Sequence, residues 1–528
     1  MSFPGSAHSK PRVSSYRPIA ELLDRYRSIH PQKPALVEVN SDLTMNFRQL
    51  TGLVDRTVRD FLKIGLEPSS RVALVTDNNI STAVIWLALW RMRIVICPID
   101  ASSMQFQAAE ILGLIKPEHI LLDASEDGSF DLGEYSHRAI KFMRWSPACE
   151  SLIVDAPPSP QSAKLFSLQG LPSTLPTDLA SISCTSGTTG HPKAVVYDHA
   201  ALWTNGMDTI ELLGLSADDR MLEYRSLGWF SSQILSLMPF LQTGMTLHLA
   251  GKFSFGHLPG WINNHNITVS VGLPAIINLL LQYPFPDAKE LFSSLRLMTS
   301  STAPLATESW RLFEQAYGVR LLNLYGSSET GWVSGNRLDA HRVGTAGQPV
   351  SSVRLEVISE AGKPCPNGDA GFIQICAGKL ALGYLQKDGS LTPIRGRPFL
   401  MSDVAMQDQD GYLYLLGRRD DMINRGGVKV YPIEIENVLL SHVEVNEAVA
   451  IGVPDMVYGE KAVCFVVPHR DTEPHPDDLL AYCRSRLPHN KSPAEIIAVE
   501  SLPRNHRGKI LRDRIKNMYA SIKKKQES

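Results

Sequence analysis

SISCTSGTTGHPKA, residues 181–194, is the stretch on which the reading of this chain turns. An apolar run from Leu179 to Cys184 leads into hydroxyl residues, two glycines, then proline and lysine. Glycines let a backbone close on an anion, and hydroxyls and a lysine donate to phosphate oxygens. Thr185, Ser186, Gly187, Thr188, Thr189, Gly190 and Lys193 are therefore candidates for holding a polyphosphate. The pattern G-x-x-x-x-G-K-S/T does not fit, because two residues separate Gly187 from Gly190 and Ala194 follows Lys193. Taken alone, the segment has a second, less favoured reading as a flexible hairpin turn.

Working outward, residues 18–418 alternate short β-branched runs with longer amphipathic stretches, such as 267–271 followed by 274–281, which is the α/β signature. Residues 156–176 are rich in Pro and Ser without a clear period and read as a surface connection. Past Gly417-Arg418-Arg419-Asp420-Asp421 the last stretch, about 110 residues, has its own strand and helix signals and is long enough to fold by itself. The expected organisation is a disordered tail at 1–17, a large domain at 18–418 and a small one at 419–528, with a hinge at Asp420. No repeat is present.

The bulk numbers agree. At 528 residues the chain exceeds the usual size of one core, so at least two domains are expected. A hydrophobic content of 44%, a charged content of 20% and a net charge of -2 describe a globular protein and give no basis for nucleic-acid binding. Seven scattered cysteines without a C-x-x-C pair suit reduced thiols in a cytoplasmic compartment. The most apolar stretch, 83–99, is interrupted by Arg91 and Arg93 and falls short of an uncharged span of roughly 20 residues, so no membrane span is expected. It reads as a buried helix followed by a strand. G-x-S-x-G, H-E-x-x-H and G-x-G-x-x-G are all absent, which removes the basis for an esterase, a zinc protease or a dinucleotide fold.

Four more segments carry chemistry in order along the chain. They are Asn323-Leu324-Tyr325-Gly326-Ser327-Ser328-Glu329-Thr330; Met401-Ser402-Asp403, followed by Gly417-Arg418; Asn424-Arg425-Gly426-Gly427-Val428-Lys429; and Leu502-Pro503-Arg504-Asn505-His506-Arg507-Gly508-Lys509-Ile510. Each alone has a plain reading: a helix N-terminus for the Tyr-Gly segment, a turn-capping acid, a surface arginine, an exposed lysine.

Together with residues 185–194 they resemble the adenylate-forming superfamily of acyl-CoA synthetases, peptide-synthetase adenylation domains and luciferase-like enzymes, whose loop reads S/T-S-G-S/T-T-G-x-P-K-G. The resemblance covers about residues 18–515 and is greatest to the AMP-forming acyl-CoA synthetase branch. It implies a large layered α/β domain with a small mobile α+β domain, and it assigns roles. Asn323, Tyr325, Gly326, Ser327 and Ser328 would meet the adenine nucleotide. Glu329 would hold Mg²⁺ together with Thr188, a hard oxygen donor set suited to that ion. Asp403 and Arg418 would grip the ribose. Gly426, Gly427 and Lys429 would serve the thiol, and Lys509 would be the adenylation lysine. A carboxylate must approach an already anionic phosphate, so a preorganised cation there is worth about 10²-fold to 10³-fold in rate.

The chain departs from the family pattern in places. Ala194 replaces a glycine, which bears on a turn expected after Lys193; Ser402 replaces another. Ser300-Ser301-Thr302-Ala303-Pro304-Leu305 stands for G-G-A/E-P-L, so Thr302, Ala303 and Pro304 fall at the nucleotide and Ser300 and Ser301 at the acyl group. Trp229 and Phe230 fall at the acyl gate, and the Gly228-Trp229 pair with Asp420 points to a CoA ligase. The resemblance implies ATP, Mg²⁺, coenzyme A as substrate and a small-molecule carboxylic acid. A carrier-protein phosphopantetheine as acceptor, luciferase-like oxidation and a non-catalytic nucleotide-binding homologue stay open, as do the identity of the acid and the oligomeric state.

Overall fold

Two large twisted sheets stand side by side, each with a parallel centre. A computed structural model of the chain describes residues 16–75, 77–126, 130–149, 151–156, 168–186, 192–470, 472–504 and 510–527. In the first sheet the parallel strands lie in the spatial order Pro34–Glu38, Thr246–Leu249, Arg220–Glu223, Val269–Ser270, Leu297–Ser300 and Arg320–Ser327. Antiparallel strands Leu43–Asn46 and Gly331–Gly335 flank them. In the second sheet Leu179–Ser186, Val95–Ile99, Arg71–Val75, His119–Asp123 and Ala139–Phe142 run parallel. Pro192–Asp198 and then Gly383–Leu385 extend it antiparallel at one edge.

Parallel strands are covered on both faces, which is why they are written in continuous apolar residues. Val95–Ile99 is buried at every position. The helix before it, Ile80–Arg91, is buried from Ile80 through Trp90, and Asn79 caps it by accepting from the Thr82 N–H. The expected helix and strand at 83–99 are both present. The two arginines in that stretch are paired at the rim of the core, Arg91 with Asp55 and Arg93 with Asp178 at 2.7 and 2.8 Å. One apolar cluster joins Leu36, Leu222 and Leu321 of the first sheet to Val72, Ile96 and Val195 of the second.

A third, antiparallel sheet runs Arg354–Ile358, Gly371–Cys376, Phe399–Gln407, Leu413–Arg418. From Arg418 the chain makes one 3-10 turn, Arg419–Asp421, and enters the smaller C-terminal domain. That domain is built on the long hairpin of Val445–Asp455 and Gly459–Pro468, with its own core around Ile435, Leu439, Ala450 and Cys464 on one face and Val449, Phe465 and Ile515 on the other. The fold is thus mixed α/β with a large N-terminal and a smaller C-terminal domain. Among the described residues no helix is long and apolar enough to cross a membrane.

Candidate active site

In open parallel sheets, ligand sites form where the carboxyl ends of the strands open into a crevice. In the first sheet those ends carry Glu223, Ser300 and the segment from Asn323; in the second they carry Asp100 and Ser186. The two edges meet. A Cβ on Gly228, in the loop after Glu223, would lie 3.4 Å from the Asp100 nitrogen. Asn78, buried just past the Arg71–Val75 strand, fastens the same loop: its Oδ1 accepts from Leu227 N at 2.7 Å and its Nδ2 donates to Arg225 O at 2.5 Å.

Tyr325 and Asp403 come from different sheets and meet there. The Tyr325 hydroxyl donates to Asp403 Oδ2 at 2.7 Å and lies 3.6 Å from Met401 Sδ. Burial first, then Asp403, pushes the phenol well above the usual tyrosine range, so it remains a donor at any working pH. Arg418 stands directly across from Asp403 on the neighbouring strand. Ser402, where the family has glycine, lies exposed inside the same strand and leaves the position of Asp403 undisturbed. The Tyr-Gly segment is a strand and turn, not the helix start it suggests in isolation. A Cβ on Gly326 would lie 2.0 Å from the Gly331 carbonyl oxygen, so the close hairpin requires glycine there. Within the turn Ser327 Oγ accepts from the Glu329 N–H at 3.2 Å, Ser328 O accepts from the Tyr197 hydroxyl at 2.9 Å, and the Asn323 side chain donates to Thr345 O at 3.0 Å.

Lys193 lies in the strand Pro192–Asp198, paired with Thr185. The turn expected after Lys193 does not exist: Ala194 sits inside the strand between Cys184 and Leu385, wholly buried, and its methyl belongs to the core. Lys193 Nζ lies 5.6 Å above the Tyr384 ring, and the Tyr384 hydroxyl donates to Glu329 Oε1 at 2.9 Å. Tyr384 is a residue the sequence reading passed over, as is Lys379. Lys379 is fully buried, ion-paired with Asp208, and donates to the Trp332 carbonyl three residues past Glu329. Nothing local marks either residue, since each acts on a segment distant in sequence.

The donor set suits Mg²⁺. One oxygen of Glu329 is held by Tyr384 and the other is left for a hard cation. Among the described residues no three acidic, His or Cys side chains cluster to form a cage.

On the acyl side, Phe230 is buried and stacks on Tyr197 at 4.2 Å, and Trp229 is half-buried beside it. Ser300 and Ser301 are buried, and their hydroxyls have no partner among the described residues. Thr302 holds a left-handed backbone conformation, with φ 73°, strained for a β-branched residue, and is exposed together with Ala303 and Pro304. Arg225 is not free to meet an anion. Its guanidinium is bidentate on Glu223 at 2.7 and 3.0 Å, both side chains buried, while Ser236 donates to the same carboxylate.

The thiol-segment candidates lie elsewhere. Gly426 and Gly427 form the turn between Ile423–Arg425 and Val428–Val430, with φ 57° and 87°. Lys429 is paired with Glu360 at 2.6 Å, and Tyr431 packs against Ile358, Phe372 and Val404. Val404 follows Asp403 on one strand, and successive residues of a strand face opposite sides. The thiol segment therefore sits across the third sheet from Asp403, around a cavity of about 280 Å³ lined by Glu360, Phe372, Val404, Met422, Lys429 and Tyr431. Asp420 lies exposed in the linking 3-10 turn, whose Arg419 rests 4.9 Å over the Phe372 ring. Ser186 closes its strand opposite Pro192. Gly187, Thr188, Thr189, Gly190, Lys509 and nearly all of the 1–17 tail lie outside the described residues.

Residues 23–385 match the family model of the AMP-binding enzyme, and residues 434–509 match that of the AMP-binding enzyme C-terminal domain. The oxalate–CoA ligase of Arabidopsis thaliana is 27% identical over 94% of this chain and 97% of its own length. The 2-succinylbenzoate–CoA ligase of Geobacillus kaustophilus is 31% identical over 65% of this chain and 69% of its own. The crystal structure of ATP-bound MatB from Rhodopseudomonas palustris superposes with a TM-score of 0.83, at 25% identity, over 95% of this chain and 99% of that one. With three sheets contributing to the Tyr325–Asp403 and Glu329–Tyr384–Lys193 groups, and with the matched models spanning most of its length, the chain belongs to the adenylate-forming AMP-binding enzyme family, in its acyl-CoA synthetase branch.

Proposed function

We propose that this protein is an AMP-forming carboxylate–CoA ligase. ATP and a carboxylic acid would give acyl-AMP and pyrophosphate, and coenzyme A would then take the acyl group and release AMP. The observation that carries this reading is the approach of Glu329 and Lys193, from different sheets, to one side chain, Tyr384, whose hydroxyl meets the carboxylate and whose ring face lies under the ammonium. A cation and a metal-suited carboxylate then flank the place where phosphate oxygens gather charge, and Asp403 with Arg418 marks the ribose. Lys509 would bridge carboxylate and α-phosphate, Thr188 and Glu329 would hold Mg²⁺, and a turn of the small domain about Asp420 would bring Gly426, Gly427 and Lys429 to the thiol step. The boundary between the two units would fall at Arg418.

The relatives act on acids as unlike as oxalate and 2-succinylbenzoate by their names, so kinship does not select the acid. The acyl side of this chain supports one with an uncharged polar group. Arg225 is committed to Glu223, while the Ser300 and Ser301 hydroxyls are buried without partners among the described residues, a cost of roughly 1–3 kcal/mol each unless something meets them.

The test is incubation with ATP, Mg²⁺ and a panel of hydroxy, keto, aromatic, aliphatic and dicarboxylic acids, with coenzyme A or a phosphopantetheinylated carrier protein as acceptor and mass detection of the thioester. An acyl-CoA from an uncharged polar acid is the expected product. Loading of the carrier protein alone would move the acceptor, and a dicarboxylate preference would overturn the reading of Arg225.

A further inference from the structure

We propose that Tyr384 is a positioning residue that sets the Glu329 carboxylate and the Lys193 ammonium against each other for the metal–nucleotide complex. This inference rests on the function proposed above. Glu329 lies on the turn that follows Arg320–Ser327 in the first sheet, whereas Lys193 lies on an antiparallel strand of the second. No backbone pairing between the two strands sets the distance between their side chains. The segment from Ala381 to Leu385 does so. Its Leu382 N–H donates to Val196 O at 2.8 Å, and Tyr384 and Leu385 stand opposite Val195 and Ala194, which fixes the segment beside Lys193. Its Ala381 N–H donates to the Glu329 carbonyl at 2.9 Å, and the Tyr384 hydroxyl donates to Glu329 Oε1 at 2.9 Å.

The ring and the hydroxyl of one side chain thus serve both charges. The ring face, negative by its quadrupole, lies 5.6 Å below Lys193 Nζ and gives an exposed lysine a preferred seat. The hydroxyl fixes one carboxylate oxygen and leaves the second presented to the cation that accompanies ATP. A tyrosine meets both requirements; phenylalanine keeps the ring alone and leucine keeps neither.

The experiment is calorimetric measurement of ATP affinity, in EDTA and in excess Mg²⁺, for wild type, Tyr384→Phe and Tyr384→Leu. No acid or thiol is needed, so failure of the ligase reading and failure of this one are distinguishable. Wild type should bind more tightly with Mg²⁺. Tyr384→Phe should lose about tenfold of that Mg²⁺-dependent gain, the scale of a hydrogen bond to a charged group, with affinity in EDTA unchanged. Tyr384→Leu should weaken binding in EDTA as well, because Lys193 loses its seat. A Tyr384→Phe protein with the wild-type ratio of the two affinities overturns the proposal, as does an equal loss with and without Mg²⁺, which is what a merely structural role gives.

Discussion

The nucleotide cradle and the glycine turn of the small domain are held in opposite ways. In the cradle two carboxylates with proposed roles have fixed companions: Asp403 has Tyr325, Glu329 has Tyr384, and the strand just past Glu329 is tied down by the fully buried Lys379–Asp208 pair. The turn at Gly426 and Gly427 is held to the large domain by the exposed Lys429–Glu360 pair and by Tyr431 against Phe372 and Val404. Exposed pairs are weak and buried ones are costly to break. The difference is between a region held by buried pairs and one held by an exposed pair and a few ring contacts.

The largest expected effect comes from breaking the cradle's support. Lys379→Met strands the Asp208 carboxylate in the core and should cost about 3–5 kcal/mol in denaturant unfolding. Most of it should be regained in the Lys379→Met/Asp208→Leu double variant. Next, Lys193→Ala should slow adenylation about 10²-fold to 10³-fold with unfolding midpoints unchanged, because it removes a charge and no packing. Third, Thr302→Gly should stabilise the protein by about 1 kcal/mol in the same unfolding assay by relieving the left-handed backbone, a gain that no glycine placed in a strand would give.

The smallest effect belongs to the C-terminal side. Glu360→Gln should leave adenylation unchanged and shift, a few-fold at most, the population of the observed domain arrangement, read from a fluorophore pair with one label on each domain. The hydrogen bond from Lys429 holds the Glu360 carboxyl below its usual range. The pair is therefore intact at neutral pH and above the ordinary glutamate range. It is lost as pH falls through the lowered value, so wild type should come to resemble Glu360→Gln only in acid.

The sequence was most informative where function is local. The hydroxyl and glycine run at 185–190 and the Tyr-Gly segment before Glu329 carried the resemblance to the family that the matched models show, and α/β alternation announced the parallel sheets. It was silent where the work is done across the fold. Tyr384, Lys379 and Asn78 look like ordinary residues, because what they hold lies 55, 47 and 149 positions away. Ala194 misled in a particular way: a replaced glycine suggested an altered turn, but the position is the inside of a strand. Thr302 is the reverse case, since the glycine-like backbone persists under a threonine.

The most direct test of the account is carboxylate-dependent exchange of labelled pyrophosphate into ATP, run without any thiol. Exchange that requires an acid and Mg²⁺ and collapses in Lys193→Ala is the predicted result; measurable ATP binding with no exchange across the acid panel would contradict it.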